Sequence, residues 1–258
     1  KASLTALGAP RGGVVLAHAS LRTIGAVEGG GEALLDALIE YFTADGGLFC
    51  VPTHTWHLLG EEIVLDMASE DTCLGAFSTL ALRDGRGIRS ENPTHSMVVF
   101  GERERAERFI ADDATVKTPT APESAYGKIY TEGGHVLLLG VSQNKNTYLH
   151  AVAEILDIPN RMEKDCYKVG VKRADGEVIA RDFKLFYADF SDDVSHRFEK
   201  YDIAFRYHGC ITDGYVGRAP IQLCDARGMK ETVELIFKNS GGVDPLATEE
   251  PIPPKWYC

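Results

Sequence analysis

The sequence predicts an α/β fold built on parallel strands, on the strength of three observations. Short apolar runs bounded by glycine recur along the first 150 residues, as strands covered on both faces do. An amphipathic segment joins the first two runs, and an Asp-Gly pair inside an alternating stretch marks an antiparallel hairpin further on.

Gly12 to Ala19 (GGVVLAHA) reads as a buried strand, followed by the loop SLRTIGAVEGGG and a helix from Glu32 to Phe42 whose apolar stripe is Leu34, Leu35, Leu38, Ile39 and Phe42. Ala44 to Gly47 stop that helix, and Leu48 to Val51 form the next strand. This βαβ unit implies parallel strands with a ligand bound beyond their carboxyl ends. The glycines at 29 to 31 match neither a P-loop nor a dinucleotide fingerprint. Free backbone N–H groups at a helix start can still receive a phosphate. A helix at Ala76 to Leu82, a strand at Met97 to Phe100 and a charged, solvated helix at Glu102 to Ala111 follow. Val136 to Val141 is the next apolar strand, and Thr147 opens an amphipathic helix.

In that helix Thr147 is the expected N-cap, which puts His150 at N3, where a capping box prefers Glu or Gln. The positive end of the helix disfavours imidazolium and keeps the ring neutral, the state a general base needs. Glu154, one turn on, either pulls the other way or orients the ring. The plainer alternative is a histidine packed under a loop and inert. From Lys168 the pattern alternates around Asp175-Gly176, then come a helix near Val194 to Tyr207, a hairpin through ITDGYVGRAPIQL and a closing helix from Met229 to Lys238. Residues 239–258 are proline-rich and are expected as an extended surface tail of a single domain spanning residues 1–258.

A chain of 258 residues, 44% hydrophobic, can bury a sizeable core. With 38 acids against 27 bases, its net charge of −11 argues against nucleic acid and suits a cationic small molecule, or simply solubility. No apolar run approaches the ~20 residues of a membrane span, and the visible N-terminus lacks a signal-peptide pattern. The six scattered cysteines fit reduced thiols, so a soluble, cytoplasmic protein without a membrane partner is expected.

His18, His54, His57, His95 and His150 all fall near strand ends in this reading. Two chemistries use such a cluster. A metal-dependent amidase would want HExxH or a carboxylate at fixed spacing, and His54-Thr-Trp-His57 supplies neither. Acyl transfer needs one neutral histidine and one acid. No GxSxG elbow or cysteine nucleophile motif points to a covalent enzyme intermediate.

The ordered blocks HASLRTIGAVEGGGEALLDAL, GGLFCVPTHTW, NPTHSMVVFG, LLLGVSQNKNTYLHAVAE and FEKYDIAFRYHGCITDGYVGRAPIQLCDAR resemble the aminoglycoside 3-N-acetyltransferase family. The resemblance implies a three-layer α/β/α sandwich with a mostly parallel central sheet and a C-terminal antiparallel hairpin excursion. It implies direct transfer of an acetyl group from acetyl-CoA to a primary amine, that of an aminoglycoside antibiotic, with resistance as the associated phenotype and no metal. Position by position, it places the catalytic histidine at His150 and the CoA-holding loop at Ser20, Leu21, Arg22, Thr23, Ile24 and Gly25, with His95 and Ser96 nearby. The family's acid after the tryptophan is replaced here by His57, so that carboxylate is either missing or moved to Glu61 or Glu62; His57, Glu61, Glu62 and Glu154 make the expected amine-binding set. Counting back from Phe198 puts the acid that orients His150 at Asp189, with Asp182, Asp192 and Asp193 close by. The partners implied are a cationic amine and CoA, with a homodimer as the assembly to test. A non-catalytic ligand-binding relative is the remaining alternative.

Overall fold

The two apolar runs that flank the first long helix lie side by side and parallel, Val14 opposite Leu48 and Leu16 opposite Cys50, so the βαβ unit forms as its pattern requires. A computed structural model describes residues 1–56, 63–70, 72–187 and 193–258. The elements are α1 (Ala2–Ala6), β1 (Val14–Ala19), α2 (Leu21–Ile24), α3 (Gly30–Thr43), β2 (Leu48–Pro52), β3 (Ile63–Asp66), α4 (Ala76–Arg83), β4 (Ile88–Arg89), β5 (Met97–Phe100), α5 (Arg103–Ile110), α6 (Ala125–Thr131) and β6 (His135–Leu139). Then come α7 (Tyr148–Ile155), β7 (Tyr167–Lys172), β8 (Val178–Phe183), α8 (Asp202–Tyr207), β9 (Ile211–Val216), β10 (Ala219–Asp225) and α9 (Ala226–Asn239).

Seven strands form the main sheet in the order β4-β5-β2-β1-β6-β10-β9. Its parallel part is confined to β2, β1 and β6, narrower than a mostly parallel sheet. β5 returns antiparallel against β2, and β10 of the β9–β10 hairpin lies antiparallel against β6. Residues alternate between two cores. Val15, Ala17, Phe49, Val51 and Leu137 face α1, α3 and α4, whereas Val14, Leu16, Cys50, Val136 and Leu138 face α5, α6, α7, α8 and α9. Helices therefore cover both faces of the sheet. The Asp175-Gly176 turn makes the β7–β8 hairpin as expected, and β3 joins it to give a separate three-stranded sheet.

Residues 239–258, expected as an extended surface tail, are mostly irregular but send Leu246, Ile252 and Tyr257 into the core on the α9 side. Burying three large apolar side chains outweighs leaving that segment free. All six cysteines are free thiols. Among the described residues no helix is long and apolar enough to cross a membrane.

Phe49 stands at the centre of one core, its ring stacked 5.5 Å from Phe42 and tilted 6.2 Å from Phe100. Phe49→Ala is expected to cost about 3–5 kcal/mol of unfolding free energy, measured by urea titration, because β2 and α3 cannot close on the cavity.

Candidate active site

The carboxyl ends of β1, β2 and β6 converge where the chain leaving β1 and the chain leaving β6 diverge, the crevice in which open α/β sheets bind ligands. A cleft of about 880 Å³ opens there. Gly140 makes it possible: it has φ +64°, and a Cβ at that position would lie 2.9 Å from the Thr23 Cβ. The Ser20 N–H donates to the Leu139 carbonyl at 3.0 Å, which ties the two diverging loops together at their roots.

Among the described residues four histidines reach this cleft, each by a different route. His18 ends β1 and His54 follows β2. His95 precedes β5, and because β5 runs antiparallel to β2, the Thr53 N–H donates to Ser96 O (2.8 Å) and the Thr55 N–H to Thr94 O (3.0 Å), which brings His95 over His54. Their ring centroids are 4.4 Å apart. His150 stands in the first turn of α7, as its sequence position requires. Thr147 is the N-cap, but its side chain makes no capping bond; the His150 N–H donates to the Thr147 backbone carbonyl instead, continuing the 3-10 turn of residues 143–145.

Phe186 stacks on the His150 ring at 4.1 Å with planes 15° apart, and Phe198 meets it edge-on at 4.9 Å. Burial lowers the His150 pKa to about 4, the Asp193 carboxylate draws it back up and the Arg161 guanidinium pushes it down further. The ring is therefore neutral at physiological pH. Asp193 is itself pulled two ways: partial burial raises its carboxyl, while the Ser195 N–H and the charge of His150 outweigh this and hold it below the ordinary carboxylate range. His18 is lowered by burial, then by Lys145, to about 3, and burial takes His54 and His95 well down. Two of the four rings are held by hydroxyls, His54 Nε2 by the Tyr126 phenol at 2.7 Å and His95 Nδ1 by Thr94 Oγ1 at 2.9 Å.

Of the residues that the sequence points to, Ser20, Leu21, Arg22, His95 and His150 line the cleft. Ser20 caps α2, accepting from the Thr23 N–H at 3.2 Å and the Thr23 hydroxyl at 2.9 Å. Thr23, Ile24 and Gly25 complete that short helix away from the cleft wall, and Ser96 is fully buried, bonded to Thr53 and Arg89. Glu154 faces elsewhere. It accepts from the Thr120 N–H at 2.8 Å and the Thr120 hydroxyl at 2.5 Å, anchoring the loop ahead of α6 and leaving the His150 ring to other partners. His57, Glu61, Glu62 and Asp189 lie outside the described residues. The described acid whose charge acts on His150 is Asp193, one of the alternatives beside Asp189. Sequence alone did not reveal Tyr126 or Phe186, which sit in segments with no chemical signature, nor Lys145, which lies in the block LLLGVSQNKNTYLHAVAE without a role assigned to it.

Both signs of charge line the cleft: Arg22 and Lys145, neither with an ion-pair partner among the described residues, and the acids Glu163 and Asp193. An anionic ligand and a cationic one can therefore both be held beside one neutral imidazole. This arrangement suits proton transfer between two bound molecules.

A family model described as aminoglycoside 3-N-acetyltransferase matches residues 16–238. Aminoglycoside N(3)-acetyltransferase IV of a Salmonella species is 29% identical over 229 residues, covering 88% of this chain and 81% of the relative. Among solved structures, a histidine-to-alanine mutant of aminoglycoside acetyltransferase AAC(3)-IVa in complex with a gentamicin is 26% identical with a TM-score of 0.78, over 97% of this chain and 89% of that one. AAC-IIIb in a binary complex with CoASH shares the fold at 22% identity and a TM-score of 0.76, over 95% and 96% of the two chains. Fold and family define an acyltransferase. The chain belongs to the aminoglycoside 3-N-acetyltransferase family.

Beneath the cleft, Asp113 is fully buried, and its carboxyl is raised by burial to about 6 despite bonds from Ser90 and the Ala125 N–H. Moving that titration from 3.8 to about 6 corresponds to on the order of 3 kcal/mol against the ionised native state. A raised carboxyl stabilises only where it is protonated, so this contribution is lost as pH rises through about 6. Asp113→Asn is expected to raise stability at pH 8 by roughly 1–3 kcal/mol. Urea unfolding should show that advantage vanishing as the pH falls to about 4, below the folded titration.

Proposed function

We propose that the protein acetylates the 3-amino group of an aminoglycoside by direct transfer from acetyl-CoA, with His150 as general base and Asp193 as the acid that orients it. The observation that carries this reading is the neutral His150 ring on the cleft wall beside Asp193, in a chain of this family. Family membership supplies the acetyl donor and the acceptor class. The cleft supports both, with Arg22 and Lys145 available to the phosphates of CoA and Glu163 and Asp193 to a polycation.

In the proposed reaction the amine nitrogen attacks the thioester carbonyl carbon. The carbon–nitrogen bond forms, the carbon–sulfur bond breaks, and the nitrogen proton passes to His150 Nδ1 or Nε2 and on to the departing CoA sulfur. A base titrating near 4 cannot strip an ordinary ammonium, because taking a proton from a group near 8 to 10 would cost on the order of 5 kcal/mol or more. His150 therefore acts late, on a nitrogen made acidic by the bond it is forming, and the amine enters unprotonated. Asp193 offsets the charge that appears on the imidazole at that moment.

Two results test the reading. His150→Ala should lower kcat on the order of 10² to 10⁴-fold with acetyl-CoA and an aminoglycoside panel, in a thiol-release assay, while the protein folds normally. A loss below about tenfold would retire His150 as the base. In the parent enzyme kcat/KM should climb with pH toward the amine's own titration, and no loss from His150 protonation should appear until the pH nears about 4.

A further inference from the structure

Two features of the segment after α7 lie outside the chemistry above. Phe186, besides stacking on His150 at 4.1 Å, meets His95 edge-on at 5.0 Å, so one apolar ring covers a face of the base and touches its histidine neighbour. It is held by a narrow ribbon: Met162 pairs with Phe186 in an isolated bridge, the Glu163 N–H donates to Leu185 O at 2.9 Å, and the Tyr187 N–H donates to Arg161 O at 3.0 Å.

The opposite strand of that ribbon carries Arg161, a buried arginine whose guanidinium donates to Asp244 Oδ1 at 2.6 Å. Asp244 is equally buried. It belongs to the C-terminal stretch, where the same oxygen accepts from the Leu246 N–H at 2.9 Å and Leu246 plugs the core. A buried ion pair adds little net stability over an apolar pair, but it fixes geometry, because losing either partner strands a charge.

We propose that Phe186 and Arg161 are positioning residues for His150, carried on one ribbon that the Arg161–Asp244 pair locks to the C-terminal stretch. The proposal rests on His150 as the base. Phe186 fixes the plane of the imidazole and shields one face from water. Arg161 opposes a second positive charge beside it, and Asp244 limits how strongly. The other charged or titratable groups around the ring are Asp193 from the wall, His95 from the turn before β5 and, through His95, His54; Glu163 lines the same cleft.

The test compares Phe186→Leu, Phe186→Tyr and Asp244→Asn in the full chain. The His150 ring is titrated by NMR with labelled histidine, assigned through His150→Gln, alongside pH profiles of turnover. Phe186→Leu admits water to the ring, so its midpoint should rise and kcat should fall about tenfold, with KM for both substrates changed less than about twofold. Phe186→Tyr should restore the parent behaviour. Asp244→Asn leaves Arg161 unbalanced, so the midpoint should fall. Opposed shifts support the proposal; an unmoved midpoint in either variant, or shifts of the same sign, overturns it. If Asp244→Asn does not fold, the Phe186→Leu midpoint decides alone. The NMR midpoint needs no turnover, so failure of the base assignment, read from His150→Ala, stays distinct from failure of the ribbon.

Discussion

Among the described residues, four imidazoles line one cleft of this fold, and their burial keeps them uncharged. His18, His54 and His95 are each buried, and His54 is within electrostatic reach of the other three. A second imidazolium there would meet both the desolvation penalty and like-charge repulsion. Burial therefore sets the protonation state of the whole cluster, and two of its rings are satisfied by neighbouring hydroxyls. Hydroxyls, which serve as donor or acceptor, are the natural partners for neutral rings, and Tyr126 and Thr94 fill that role. Among the described residues a carboxylate acts on the His150 ring and not on the other three, so His150 is the ring best able to take a proton when a reaction supplies one.

The sheet makes this corner through its change of direction. Had β5 continued parallel to β2, the chain entering it would have come from the far end, and His95 could not have met His54. The antiparallel return places Thr94, His95 and Ser96 over the carboxyl end of β2, with Ser96 buried as the stitch between them. Ser96 thus contributes by fixing the backbone that aims His95. Glu154 has a similar role further from the cleft: by holding Thr120 it fixes the loop that leads to α6, and α6 carries Tyr126.

Local patterning made much of this visible before the fold was known. The β1–α3–β2 unit, the Asp175-Gly176 hairpin and the placement of His150 at the third position of its helix were all legible, because each depends on a short window of residues. The features that were not legible depend on distant segments meeting. Phe186 is an ordinary aromatic in a loop until the ribbon with residues 161–163 brings it onto His150. Asp193 looks like its neighbouring acids in sequence, and its charge acting on His150 emerges only from the fold. The C-terminal stretch looks like a surface tail by its prolines, which report backbone extension and say nothing of where Leu246 points.

The charge of the chain sets a last constraint on the proposed reaction. A net charge of −11 draws a polycationic acceptor in from a distance but repels the anionic donor. At physiological ionic strength that field decays over about 8 Å, so at contact range the nearest side chains decide. Arg22 and Lys145 both line the cleft with no acid paired to them among the described residues, so they are the cations within reach of the donor's phosphates there. In the proposed reaction the acidic chain gathers the acceptor, these two cations admit the donor, and His150 lines the cleft that both enter.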